Sequence, residues 1–289
     1  MHKYIIMIIT IVTMLGSAIG ISRADTGERY IQNERKWIAY YANKEESTAF
    51  KDYDIIIFDR DKHPSLKNLQ SRGAVIFGYA SLAEAEKERA DYDQVKEFML
   101  TQEENPQWKG HYAIDVRNPQ WAKYMIENII PDIIEQGFDG VFLDTLDRAE
   151  DLERKNPKRY RGMIKAAQKL ICAIRYHYPN LKIMTNRGFS ILPDILQDVD
   201  YILAESILVN YDRNKGEHRF FSDSTYEQLV KKVIGFKSKA PHIKILSLDY
   251  WDMSDEDMVK TIYDKQRKEG FSPYVTSIEL DKIHKEPGI

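Results

Sequence analysis

The stretch Gly137-Phe-Asp-Gly-Val-Phe-Leu-Asp-Thr-Leu-Asp147 orders a helix stop, a tight turn, a short apolar strand and then carboxylates. Val141, Phe142 and Leu143 offer no polar face, as expected of a strand covered on both sides. An acid that ends such a strand, here Asp144, lies at the C-terminal edge of a parallel sheet, where α/β folds place their active sites. The same layout recurs at Tyr201-Ile-Leu-Ala-Glu205 and at Ile243-Lys-Ile-Leu-Ser-Leu-Asp249.

Working outward, eight strands are expected at residues 37–42, 54–59, 74–80, 140–145, 182–186, 201–205, 243–250 and 272–278. Asn118-Pro119 predicts a helix start, followed by an apolar stripe from Trp121 to Ile134 and a stop at Gly137. Asn156-Pro157 predicts a second helix, with a stripe over Met163, Ile164, Ala167, Leu170, Ile171 and Ile174 and a stop near Pro179. Ser254-Asp-Glu-Asp257 reads as a capping box opening a helix to about Lys268, and shorter helices are expected near 64–72, 83–100, 190–198 and 224–239. Eight strands alternating with helices over about 250 residues is the pattern of a (β/α)8 TIM barrel, an α/β fold. The competing doubly wound sheet lacks support, because neither GxGxxG nor GxxxxGK[ST] is present.

Residues 1–24 read as a signal peptide or membrane anchor: Lys3, an uncharged run over 4–21, then Ser22-Arg23-Ala24 as a cleavage site. Residues 25–289 form the single barrel domain, and the reading places the protein outside the cell or tethered to the outer face of the cytoplasmic membrane. Without Lys3 and Arg23 the chain carries 40 basic and 45 acidic residues, which argues against nucleic acid as a partner. One cysteine, Cys172, makes no internal disulfide and sits in the apolar register of a helix. The seven histidines show no zinc-ligand spacing, which leaves a zinc hydrolase without its metal, and no GxSxG elbow is present for a serine esterase; no cofactor is expected, since glycosyl transfer to water needs only two acids. The chain is expected to act as a monomer, touching a membrane only through an uncleaved N-terminus.

In a barrel the strand ends converge on one rim, which would carry Tyr40, Asp59, Tyr79, Asp144, Asn186, Glu205, Asp249 and Tyr250. Carbohydrate cleavage needs such acids: one carboxylic acid protonates the leaving oxygen while a second carboxylate attacks the anomeric carbon or activates water. Aromatic faces and an amide or phenol would hold the sugar, with Trp108, Asp147 and Tyr211 as further loop candidates. Taken singly, Asp59 or Asp249 serves equally well as a helix cap or ion-pair partner. Asp139 precedes its strand and belongs to the opposite, stability face.

Several motifs resemble glycoside hydrolase family 114, the endo-α-1,4-polygalactosaminidase-like barrels. They are Trp37-Ile-Ala-Tyr-Tyr41, Gly78-Tyr-Ala-Ser-Leu-Ala-Glu-Ala-Glu86 (with Ala83 where the family has glycine), Asp115-Val-Arg-Asn-Pro-Gln-Trp121, Gly137–Asp147, Met184-Thr-Asn186, Ala204-Glu205-Ser206 and Leu248-Asp249-Tyr250. The resemblance implies cleavage of internal α-1,4 links in a galactosamine-containing exopolysaccharide. It implies Asp144 as nucleophile and Glu205 as general acid/base, the latter held protonated at rest, and it adds Glu84 to the substrate-binding set. Retention of configuration would set the carboxyl groups roughly 5–5.5 Å apart, and inversion about 6.5–9.5 Å. The alternatives are a non-catalytic barrel that binds the polymer during export, or a glycosidase of the same barrel type acting on another sugar.

Overall fold

The computed structural model describes residues 36–288, so the expected leader and its boundary at residue 24 lie outside the described residues. Eight parallel strands form one sheet in sequential order: β1 (Trp37–Tyr40), β2 (Ile55–Phe58), β3 (Val75–Ser81), β4 (Gly140–Asp144), β5 (Lys182–Asn186), β6 (Tyr201–Glu205), β7 (Lys244–Tyr250) and β8 (Ser272–Thr276). Every expected strand is present. The seam between β8 and β1 is closed by side chains: the Trp37 indole nitrogen donates to the Ser272 carbonyl at 2.8 Å, and its ring meets Tyr274 edge-on at 5.4 Å. The architecture is the expected α/β TIM barrel.

The strands are apolar because both faces are covered; all of Ile55–Phe58 is at most 1% exposed. Gly140 is required by space. A Cβ there would lie 2.5 Å from the Lys182 carbonyl oxygen and 2.6 Å from the Phe77 ring, so β3 and β5 could not both approach β4.

The acids at the N-terminal ends follow a rule. Asp54, Asp139 and Asp200 each precede a strand and each accept a backbone N–H from the start of the preceding one: Lys36 at 3.1 Å, Ile76 at 2.9 Å and Ile183 at 2.8 Å. They set register at the stability face, as expected for Asp139.

The Asn118 side chain caps Gln120 N with Pro119 in the first turn, and Pro119–Tyr124 runs through a π-helical segment, Met125–Ile129, into Ile130–Glu135. Gly137, at φ +96°, ends the run. Other boundaries differ from expectation. Asn156 closes a helix, Leu146–Lys155, that was not foreseen, and the next helix, Met163–His177, opens after Gly162 at φ +89°. The last helix, Glu256–Lys268, is capped by Asp255, which accepts from Met258 N, rather than by Ser254. The expected helix near 83–100 is mostly not one. Glu84–Glu86, Met99–Glu104 and His111–Ile114 form an antiparallel sheet in the excursion after β3, with only Tyr92–Val95 α-helical between them. A second excursion after β6 is the hairpin Val209–Asp212 with Glu217–Phe220. Both excursions leave from strand C-terminal ends, so they rise around the barrel mouth. Among the described residues no helix is long and apolar enough to cross a membrane.

Candidate active site

Three strand-end residues meet at the mouth. Asp144 ends β4, Asn186 ends β5 and Glu205 ends β6, each directly before a non-glycine residue in the left-handed region: Thr145 at φ 63°, Arg187 at φ 51° and Ser206 at φ 49°. Such backbone costs of order 1–3 kcal/mol per residue and persists where surrounding contacts hold it. Here they do. Thr145 Oγ1 accepts from Ala83 N at 2.9 Å, and Arg187 Nη1 donates to the carbonyls of Glu205 and Ser206 at 2.6 and 3.3 Å. Each strand is thereby turned off immediately beyond its functional side chain.

The Asn186 amide nitrogen donates to Asp144 Oδ1 at 2.9 Å and also to Glu205 Oε2. Two carboxylate oxygens on one nitrogen can lie no more than two hydrogen-bond lengths apart, roughly 6 Å. Tyr250 donates its hydroxyl to Glu205 Oε1 at 2.5 Å, and Thr145 N donates to Asp144 Oδ1 at 2.7 Å. Burial first, and the charge of Glu205 second, push the Asp144 pKa up to about 7.

Tyr41 stands with this group, and sequence reading passed it over. Burial, then the charges of Asp144, Glu205 and Asp59, hold its phenol far above the usual range, and its ring meets Tyr79 at 5.5 Å. Tyr40, the expected partner, is turned away: it is fully buried, edge-on to Phe50 at 5.1 Å, with its hydroxyl accepting from Lys44 N at 3.3 Å. The parity of β1 puts the second tyrosine, not the first, toward the acids.

The remaining candidates divide. Tyr79 donates to Glu86 Oε1 at 2.5 Å beneath the Arg89 guanidinium, which also binds Glu86 at 2.6 Å and Asp59 at 2.7 Å. Asp59 is therefore buried and ion-paired at the edge of the mouth; Glu86 and Arg89 were not foreseen as a unit. Glu84 is buried and engaged by Arg148 at 3.2 Å, His111 at 3.4 Å and Asn105 at 2.9 Å, so it has no face left for substrate. Burial opposes charge on His111, but Glu84 and Glu88 raise its pKa to about 10 and keep it cationic. Asp249 is 1% exposed and accepts from Leu208 N at 3.2 Å, Val209 N at 2.9 Å and the Gln266 amide; it anchors the turn after β6 instead of lining the mouth. Asp147 lies in the first turn of Leu146–Lys155 and is half exposed, 3.8 Å from Arg187. Trp108 sits on the β3 excursion under the Arg213 guanidinium at 3.6 Å, and Tyr211 lies on the hairpin against His218 at 4.7 Å. Among the described residues no group of three or more His, Cys, Asp or Glu is arranged to hold a metal.

Comparison with known proteins agrees with this fold. The glycoside hydrolase domain of PelA from Pseudomonas aeruginosa superposes with a TM-score of 0.76 at 22% identity, covering 87% of this chain and 98% of that domain. Ega3 from Aspergillus fumigatus, solved in complex with galactosamine, gives 0.65 at 14% identity, covering 86% of this chain and 93% of that one. An uncharacterised protein of Methanocaldococcus jannaschii is 26% identical over 265 residues, or 83% of this chain and 75% of its own length. At these identities the solved structures bear on the fold; the sequence pattern of the family bears on kinship. That pattern matches residues 22–287, nearly the whole chain, and the protein therefore belongs to glycoside-hydrolase family GH114.

Proposed function

We propose that this glycoside hydrolase cuts internal α-1,4 links of a galactosamine-containing exopolysaccharide by a retaining, two-carboxylate route. The observation that carries the reading is the single Asn186 amide joining Asp144 to Glu205. The short separation it permits supports direct attack by one carboxylate over a water held between the two. The galactosamine bound to Ega3, a fold neighbour, supports the choice of sugar.

In this reading Asp144 attacks the anomeric carbon while Glu205 gives its proton to the departing glycosidic oxygen. Glu205, now a carboxylate, then takes a proton from water, whose oxygen displaces Asp144 and frees the sugar end. Near neutral pH the pair holds one proton in common. Positive charge growing on the anomeric carbon beside Asp144 favours that group as the anion and leaves the proton to Glu205. Asn186 keeps both carboxyls in place throughout, and Tyr250 orients Glu205.

The test uses the full-length protein on a partly deacetylated galactosaminogalactan, reading product length. D144N and E205Q should each abolish depolymerisation while leaving polymer binding largely intact. Activity retained in both variants removes the catalytic assignment; binding without cleavage by the wild type points to the export-linked binding barrel. Cleavage of a different polymer in a panel reassigns the sugar. Residues 1–24, read as a signal peptide or a membrane anchor, support a location outside the cytoplasmic membrane, and a mature protein that begins at Asp25 would select the signal peptide.

A further inference from the structure

A cleft of about 580 Å³ that does not include the acid pair is lined by Tyr211, His218, Trp251, Asp252, Ile278 and Glu279 among others. Its wall is a run of rings. Tyr211 and His218 are 4.7 Å apart between centroids, His218 and Trp251 5.1 Å, and Trp251 and Phe220 5.2 Å. The wall is braced, because Arg213 of the same hairpin lies 3.6 Å over Trp108 of the opposite excursion and donates to the Ile278 carbonyl at 3.5 Å. Trp251 directly follows Tyr250, whose hydroxyl holds Glu205, so the cleft and the catalytic pair share one strand end.

We propose that this cleft is a distal subsite, which stacks one pyranose ring of the polymer on the Tyr211–His218–Trp251 wall at a distance from the bond cut. The inference rests on the proposed function and adds to it where chain length is read. Flat rings offer apolar faces to sugar C–H surfaces, and a few polar groups around them fix orientation. Three carboxylates, Asp252, Glu279 and Asp281, line the cleft with one lysine, Lys282; Asp281 is paired with Lys44 at 2.7 Å. Burial lowers the pKa of both His218 and His284, so the two imidazoles are neutral hydrogen-bonding groups at pH 7. The balance is acidic and favours a unit with a free amine over its N-acetylated form, since an ammonium gains from the ring faces as well as from Asp252 and Glu279.

The experiment compares full-length wild type, W251A and H218A on galactosamine oligosaccharides of increasing length, with thermal melts confirming that each variant folds. The expected result is a loss that grows with chain length, reaching about tenfold in KM on the longest oligomers. An equal loss at every length, or none at any, overturns the subsite. Binding is read separately in E205Q by calorimetry with a long galactosamine oligosaccharide. Adding W251A should weaken its Kd about tenfold, and an unchanged Kd also overturns the subsite. Wild type that binds such oligomers through Trp251 yet cleaves none refutes the proposed function while leaving the subsite standing.

Discussion

Asn186 donates one side-chain N–H to Asp144 at 2.9 Å, and the same nitrogen serves Glu205, so an uncharged residue fixes the spacing of two acids that repel each other. Removing it should damage chemistry more than binding. We expect N186A to lower kcat by about 10²-fold, the scale found when one preorganised donor is lost, with KM little changed. Steady-state kinetics on a defined oligosaccharide checks this; a rise in KM at constant kcat would assign Asn186 to substrate binding alone.

The two adjacent tyrosines at the end of β1, Tyr40 within it and Tyr41 just beyond, provide a paired test. Tyr41 lies among Asp144, Glu205 and Asp59, whereas Tyr40 is packed on Phe50 and Phe58. Y41F should lower kcat/KM roughly 10- to 100-fold, the equivalent of one hydrogen bond to a charged group. Y40F should lose about 1 kcal/mol of stability or less and keep its activity. Equal behaviour of the two variants contradicts the orientation of the strand end.

The pH profile follows from the shared proton. Burial and the charge of Glu205 raise Asp144 to about 7, and the working pair needs one proton between two carboxyls. The last proton leaves as pH rises through about 7, so kcat should decline on that limb and be restored on acidification, until the remaining carboxylate is protonated as well. A rate that stays level from pH 6 to pH 9 is incompatible with this pair.

Asp249 makes a stability prediction of definite sign. Burial lifts its pKa from the ordinary value to about 7, against the opposing hydrogen bonds from Val209 N, Gln266 and Leu208 N. A carboxyl whose pKa is higher folded than unfolded contributes stability that is fully present below about pH 4 and lost as pH rises through about 7. The shift corresponds to roughly 4 kcal/mol. D249N, which cannot ionise, should therefore show a smaller fall in Tm than wild type between pH 4 and pH 8; parallel Tm curves would show that Asp249 does not titrate in this range.

Helical composition misled at 83–100. Ala83-Glu-Ala-Glu-Lys-Glu-Arg-Ala90 is rich in helix formers, yet Glu84–Glu86 is a strand paired with His111, Tyr112 and Ala113. Arg148 and His111, from later segments, neutralise Glu84, Arg89 does the same for Glu86, and together they outweigh a local preference worth tenths of a kcal/mol per residue. Parity misled at 40 and 249. In β1 all four residues are buried, so no polar alternation marks which side chains face the mouth. The same holds at the end of β7, where Asp249 and Tyr250 are both buried and point opposite ways.

The order of the eight strands and the acids that end β4 and β6 are properties of the chain itself, because apolar runs closed by turn residues and carboxylates are local patterns. Closure decided the rest. Only when residues 144, 186, 205 and 250 were brought to one rim from separate segments did an amide come to hold two acids, a phenol to orient one of them, and a pair of neighbouring tyrosines to part company. Those relationships depend on distances between strands far apart in sequence, and no local pattern records them.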